Sequence, residues 1–334
     1  MAIYVYNESR VSRRQFIDWI AMLWVWAIVG GYFGLFFPNV RLTKTPVSLV
    51  LPDSIANDEF IASLAKPRLA QVQNLFGIDI PRPSTLFAFT NEWGGAVGLL
   101  TPFFIAATLY SDDPRRQRLG IVGLLVAIPP MVLSLNRGLW ISTGVIFATV
   151  AVRSFLVGRT GPLRLLAASV AILAALVALT PIGDVVAGRL SESDAGARAG
   201  IYQEAWEGAK QSPIVGWGGT RPSINPFSPA VGTHGHIWYA MFAHGLVGLA
   251  LYLVFLSGAM WRAVMRTDPI SIMLASVVFV AAVQMIFYNM FPAPLPIILT
   301  AIGLLYRSDQ ALEGPNTDRP RRSRRPHVPA LDER

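Results

Sequence analysis

The sequence predicts an all-α polytopic membrane protein, with about eight transmembrane helices and an extracytoplasmic helical loop. Three observations carry that expectation. Of 334 residues, 53% are hydrophobic and 14% charged, whereas a soluble domain carries about a quarter charged residues to solvate its surface. The apolar residues fall in repeated runs of the roughly 20 residues that a spanning helix needs. Arginines collect between alternate runs, as cytoplasmic loops require under the positive-inside rule. This composition excludes a disordered chain, a nucleic-acid-binding domain and an ordinary cytosolic enzyme. Cysteine is absent, which removes disulfide scaffolds, thiol nucleophiles and Cys-ligated metal sites.

Residues 1–16 form a cytoplasmic N-terminal segment carrying Arg10, Arg13 and Arg14. The first apolar run, 17–37, lacks a small-residue cleavage site and reads as a retained span rather than a signal peptide. With the Pro-punctuated outer stretch 38–92 it makes a first unit, 17–92. Within that stretch an amphipathic segment around Phe60–Phe76 is suited to the membrane interface. Further spans are expected at 93–111, 119–135, 138–157, 163–182, 238–260, 270–290 and 292–308, so that 93–308 is the main transmembrane domain. Its outer loop, 183–237, is the most polar stretch between spans. The expected inner loops hold Arg115, Arg116 and Arg118, then Arg153, Arg159 and Arg164, then Arg262 and Arg266. Both termini are therefore expected in the cytoplasm. Residues 309–334, rich in Pro and Arg, read as a disordered basic tail attracted to anionic membrane lipids. The net charge of +8 is accounted for in this way, without a nucleic-acid partner. No internal repeat supports an inverted-repeat transporter.

In the outer loop, Ser191 to Asp194 offer N-caps for a helix from about Ala195 to Gln211, stopped before Pro213. Arg198, Tyr202 and Ala205 share one face of that helix. Arg198 lies near its start, where backbone N–H groups and the dipole attract anions; a solvated surface arginine would have the same spacing. Pro213-Ile-Val-Gly216-Trp-Gly218-Gly219 reads as a turn-rich break. Gly232-Thr-His234-Gly-His236 stands where the chain re-enters the bilayer. A near-neutral imidazole there can act as general base toward a hydroxyl, or simply be interfacial beside Trp238 and Tyr239. His234 and His236 give a metal only two ligands, and i, i+2 spacing on a helix splays them apart. Arg137 sits between two apolar runs with almost no loop, which makes it a functional-site candidate by default, against a snorkelling turn residue. Arg82 and Asn91 precede the second span. Outward arginines and a histidine, with no outward Asp-x-Asp pair to hold a divalent cation, suit a diphosphate leaving group and imply no cofactor.

Taken in order, these motifs resemble the O-antigen ligase/polymerase (Wzy/WaaL-like) membrane glycosyltransferase superfamily over about residues 80–308. Arg82-Pro-Ser-Thr-Leu-Phe87-Ala-Phe-Thr-Asn91 resembles its Arg-led segment ahead of a span. Ser134-Leu-Asn-Arg137-Gly-Leu-Trp140 resembles its Arg-Gly helix start. Arg198 with Tyr202, Pro213, Gly216 and Gly218 resembles its outer helix, and His234 followed by Gly245-Leu-Val-Gly248 the opening of its next span. Gly235 stands where the family has Asn. The resemblance implies metal-independent transfer of glycan from a polyprenyl-diphosphate-linked oligosaccharide, usually undecaprenyl, to a glycan or lipid-linked acceptor. The setting it implies is the outer face of the bacterial inner membrane. It implies roles for Arg137 and Arg198 at the diphosphate and His234 at the acceptor hydroxyl, with Arg82, Asn91 and Tyr202 as substrate contacts. These residues do not separate ligase from polymerase. A non-catalytic membrane partner of polysaccharide assembly or export would use the same arginines for lipid headgroups. A secondary transporter would need charges near the bilayer midplane, which the apolar runs lack.

Overall fold

Ser12 opens the first long helix. Its hydroxyl accepts the Gln15 amide at 3.2 Å and the Gln15 side chain accepts the Ser12 amide at 2.8 Å, so two otherwise unpaired donors are satisfied reciprocally. In the computed structural model, which describes residues 1–56, 59–75, 77–85, 87–158, 195–225 and 228–307, this helix is α2 (Arg13–Phe36), preceded by a short α1 (Ala2–Asn7). Three short helices follow, α3 (Pro46–Val50), α4 (Asp53–Ala56) and α5 (Glu59–Ala65). An antiparallel hairpin comes next, β1 (Ala70–Leu75) and β2 (Ile78–Pro83), with Ala70 opposite Pro83.

The hairpin corrects two expectations: the chain is not purely α-helical, and the helix expected around Phe60–Phe76 ends at Ala65. Pro67 disfavours helical backbone at the residue before it. Beyond it, alternate side chains take up work: Gln71 accepts the Thr90 amide at 3.0 Å and Gln73 accepts the Arg82 guanidinium at 2.9 Å.

Next come α6 (Thr90–Thr108), α7 (Pro114–Leu133) and α8 (Arg137–Leu156). After α9 (Ala195–Gln211) follow α10 (His236–Met265), α11 (Pro269–Gln284) and α12 (Pro294–Tyr306). Local chemistry sets these starts. Asp113 caps α7 and Asp268 caps α11, each with proline in the first helical position, where no amide is missed. The expected span 163–182, the cap candidates Ser191–Asp194 and the tail 309–334 lie outside the described residues.

Among the described residues, α2, α7, α8 and α10 are long and apolar enough to cross a bilayer, and α11 and α12 are shorter apolar helices. Four of the eight expected spans, 17–37, 119–135, 138–157 and 238–260, thus correspond to helices of that kind. The run 270–290 fails as one helix because α11 stops at Gln284, ahead of a turn through Phe287 and Pro292. α6 and α11 form the interior. Trp93, Phe103, Met273 and Leu274 are fully buried, and α6 packs on α2, α8 and α11. Gly94 and Gly98 allow that approach: a Cβ would strike Asn136 at the first and Ser142 at the second. Gln284 Nε2 closes the interior by donating to Ser142 Oγ at 2.8 Å and the Gly95 carbonyl at 3.1 Å. Outward faces of α2, α7 and α10 expose Trp26, Leu125, Leu251 and Val254. Apolar surface on this scale marks contact with lipid or protein rather than water.

The two ends of the bundle differ in chemistry. At one, guanidinium groups meet the last carbonyls of helices, where the dipole is negative. Arg14 donates to the Ala106 and Ala107 carbonyls, and Arg153 to those of Val264 and Arg266 at 2.6 Å each. Arg262 and Arg266 donate to the Leu305 carbonyl at 3.3 and 3.2 Å, and the buried Arg307 to the Glu8 and Val11 carbonyls at 2.8 and 2.9 Å. Arg13 reaches Ser271 at 2.6 Å and Asp268 at 3.4 Å. Burial opposes ionisation of Asp268 most strongly. Hydrogen bonds from Ser271 and the nearby Arg13 and Arg266 outweigh it, and the carboxyl titrates below its ordinary value. The opposite end gathers the starts of α6, α8 and α10.

Candidate functional site

A buried turn, Ser134-Leu135-Asn136, joins α7 to α8 and organises that opposite end. Leu135 is fully buried with φ 51°, a left-handed conformation that costs a branched residue about 1–2 kcal/mol. The turn aims Asn136 into the bundle. Its Oδ1 accepts the Leu139 amide at 2.9 Å, capping α8, and the Tyr288 hydroxyl at 2.6 Å. Its Nδ2 donates to the Thr90 and Asn91 carbonyls at 3.2 and 3.4 Å. One amide side chain thus ties together the starts of α6 and α8 and the segment after α11.

Arg137 is the first residue of α8 and half-buried. Arg82, on β2, donates from Nε to the Ser134 carbonyl at 2.8 Å, which pins the hairpin to the same turn. Asn91 is exposed in the first turn of α6, its carbonyl engaged by Asn136. These three expected site residues therefore share one neighbourhood.

The same neighbourhood runs on to His234 through the backbone of Tyr288, whose carbonyl accepts the His236 amide at 2.9 Å. Gly235 between the histidines has φ 86°, and a Cβ there would collide with the Ile286 carbonyl; glycine rather than Asn is what this packing admits. His234 is half-buried, with Nδ1 2.9 Å from the Thr233 hydroxyl. His236 is buried, its Nδ1 3.2 Å from Asn289 Oδ1 and its ring among Tyr239, Tyr252 and Phe291. It is the packed member of the pair.

The outer helix α9 lies on α10 through Tyr202, which stacks on Trp238 with ring centroids 4.7 Å apart and planes 12° from parallel. Arg198 stands one turn before Tyr202, in the first turn of α9; its backbone alone is described. Glu204, on the same helix, accepts the Ser223 hydroxyl and the Ile224 amide, both at 2.7 Å. It thereby holds the lobe 220–231, whose ends pair at Arg221 and Val231. A cavity of about 320 Å³ opens there, lined by Thr220, Arg221, Ser223, Asn225 and Ser228. The Arg221 guanidinium lies 3.8 Å from the Trp217 ring centroid, a cation–π contact.

The Pro213–Gly218 segment is more than a turn. α10 is broken at Gly245, which has φ 68° and ψ −176°. The segment docks into the break, where the Trp217 and Gly218 amides donate to the Phe242 and Ala243 carbonyls at 2.9 and 2.8 Å. The Leu246 amide donates to the Pro213 carbonyl at 2.7 Å. A Cβ on Gly245 would strike the Ile214 carbonyl, and one on Gly216 the Ala243 backbone. Backbone groups freed by the break are thus re-paired by the Pro213–Gly218 segment.

Sequence reasoning missed Tyr288, whose contact with Asn136 is distant in sequence, and Thr233, which acts through backbone geometry. It also missed Asn136, although an asparagine directly before Arg137 is the residue type that caps a helix. Among the described residues no three His, Cys, Asp or Glu side chains cluster as metal ligands would. No protein-family model matches the chain, and no curated protein matches it.

Proposed function

We propose that this chain is a membrane glycosyltransferase of the O-antigen ligase/polymerase type. In this reading it moves glycan from a polyprenyl-diphosphate carrier to a sugar acceptor on the outer face of the bacterial inner membrane. The arginine-capped end then faces the cytoplasm, both termini lie there, and eight spans place the Asn136 end outside. The single observation that carries the reading is the siting of Arg137 and Arg198 in the first turns of α8 and α9. A helix N-terminus is the positive end of its dipole and attracts anions, and an arginine in the first turn adds to that attraction. Arginines at these two positions, with Arg82 beside the turn that precedes α8, suit the diphosphate.

The chemistry follows from these positions. An acceptor hydroxyl attacks the anomeric carbon and gives its proton to His234. The bond from that carbon to the phosphate oxygen breaks, and its electron pair leaves on the polyprenyl diphosphate. Fixed cations stabilise the departing charge more than the bound donor, which lowers the barrier. The aromatic pair Tyr202–Trp238 joins α9 to the helix that follows the histidine segment and would offer a face for a sugar ring.

The test is reconstitution in nanodiscs with a synthetic undecaprenyl-diphosphate oligosaccharide, following glycan transfer by gel shift and mass spectrometry. Transfer that persists in EDTA and disappears in His234→Ala is the expected result. Binding of the donor without any transfer would replace this reading by a non-catalytic partner of polysaccharide assembly.

A further inference from the structure

We infer that Thr233 is a positioning residue that fixes the tautomer of His234, placing its proton on Nδ1 and its lone pair on Nε2; the catalytic consequence rests on the function proposed above. The argument is one of proton direction. The Thr233 hydroxyl lies 2.7 Å from the Ala230 carbonyl and 2.9 Å from His234 Nδ1. A carbonyl oxygen can only accept, so at 2.7 Å the hydroxyl proton must point at Ala230; otherwise two lone pairs would face each other. The hydroxyl oxygen is then left with acceptor capacity alone toward the imidazole. Nδ1 must therefore be the N–H of the neutral ring, and Nε2 the acceptor.

The surroundings hold this arrangement in place. The Thr233 amide also donates to the Ala230 carbonyl, at 3.3 Å, closing residues 230–233 into a turn. Val231 within that turn is buried in an apolar cluster with Ala205 and Phe242, with Trp217 and Trp238 packed against it. Its amide donates to the Arg221 carbonyl at 2.8 Å. On the other side Gly235 is wedged against the Ile286 carbonyl. The imidazole is thus held between two fixed stretches of backbone, with the Thr233 hydroxyl set against its Nδ1.

Of the two tautomers, only the one with an Nε2 lone pair lets the outer nitrogen of the ring accept a proton from an acceptor hydroxyl. Thr233 touches no substrate in this account and acts through His234. A valine keeps the shape of the threonine and deletes the hydroxyl, whereas a serine keeps the hydroxyl.

The experiment uses the full chain in nanodiscs with ¹⁵N-labelled histidine, at a pH where imidazoles are neutral. The chain has four histidines, and the His234 signals are assigned by their loss in His234→Gln. The expected spectrum has a protonated Nδ1 and an unprotonated Nε2 in wild type and in Thr233→Ser, with Thr233→Val shifting toward the other tautomer. In the transfer assay Thr233→Val should lower kcat by about 10- to 100-fold at unchanged donor KM, and Thr233→Ser should restore it to within a few-fold. A wild-type ring protonated on Nε2, or a Thr233→Val spectrum identical to wild type, overturns the assignment. If the tautomer behaves as stated and transfer is never seen, the glycosyl-transfer reading fails and the Thr233 assignment stands.

Discussion

At one end of the bundle Arg153 gives hydrogen bonds to two carbonyls at the close of α10; at the other Arg137 begins α8. The residue type is the same and the electrostatics are opposite. Helix C-termini present negative charge, so Arg14, Arg153, Arg262 and Arg266 find there the partners that the fold itself supplies. Helix N-termini present positive charge, so Arg137 and Arg198 add cation to cation. Arginines of the first kind hold structure; on the function proposed above, those of the second kind would meet the anionic donor. Counting arginines, as the positive-inside rule does, cannot tell these classes apart; their place along a helix does.

The comparison is best attacked where the expected effect is largest. Arg137→Ala and Arg198→Ala should each lower kcat/KM for transfer by about 10²–10³ while leaving the thermal unfolding midpoint in nanodiscs near that of wild type. Arg137→Lys should recover little, since an ammonium lacks the bidentate fork. A fall in midpoint with intact turnover per folded molecule would erase the distinction between the two ends. Arg153→Ala should behave in the opposite manner. It removes two charge-assisted hydrogen bonds worth about 1.5–3 kcal/mol each, so unfolding should shift strongly and turnover of the folded fraction should not.

Smaller effects probe the joints between the ends. Gly245→Ala should destabilise by about 1–3 kcal/mol through strain at positive φ and the clash with Ile214. Gly144→Ala in α8, where a new Cβ meets nothing within 4 Å, should be neutral or stabilising by up to about 1 kcal/mol. Equal effects of the two in chemical denaturation would sink the docking of the outer loop into α10. Asn136→Ala deletes the cap of α8 and should lose about 0.5–2 kcal/mol in the same assay. The smallest effect concerns Asp268. Its carboxyl titrates below the ordinary value of 3.8 in the folded state, so the stability it contributes is fully present above that value and is lost as the pH falls below it. Asp268→Asn should flatten that acid limb of the stability profile and leave the neutral region little changed.

What the sequence made legible was whatever depends on local physics. The apolar runs located α2, α7, α8 and most of α10, since lipid-facing and buried residues are alike in composition. Pro213 marked the end of α9. The hairpin escaped notice because Pro81 and Pro83 interrupt its second strand and its anchors, Gln71 and Gln73, bind partners across the chain. Gly245-Leu-Val-Gly248 reads as ordinary helix, and only the docked Pro213–Gly218 segment explains the break. For the site, Arg82 and Arg137 stood out as charges beside apolar runs and Asn91 through the family resemblance, and the three share a neighbourhood. The Asn136–Tyr288 bond that links that neighbourhood to the histidine segment spans 152 positions, and no local pattern encodes it.

The break in α10 also sets a length scale. As one helix, its 30 residues would measure about 45 Å at 1.5 Å per residue, half again the thickness of a hydrocarbon core. Counted from Leu246 to Met265 the rod is about 30 Å, a match to that thickness. The chain thereby converts an over-long stretch into one rod fitted to the lipid and a shorter piece, His236–His244, that travels with the outer loop. A bilayer thicker or thinner than that rod would press first on this joint, where the Pro213–Gly218 segment docks.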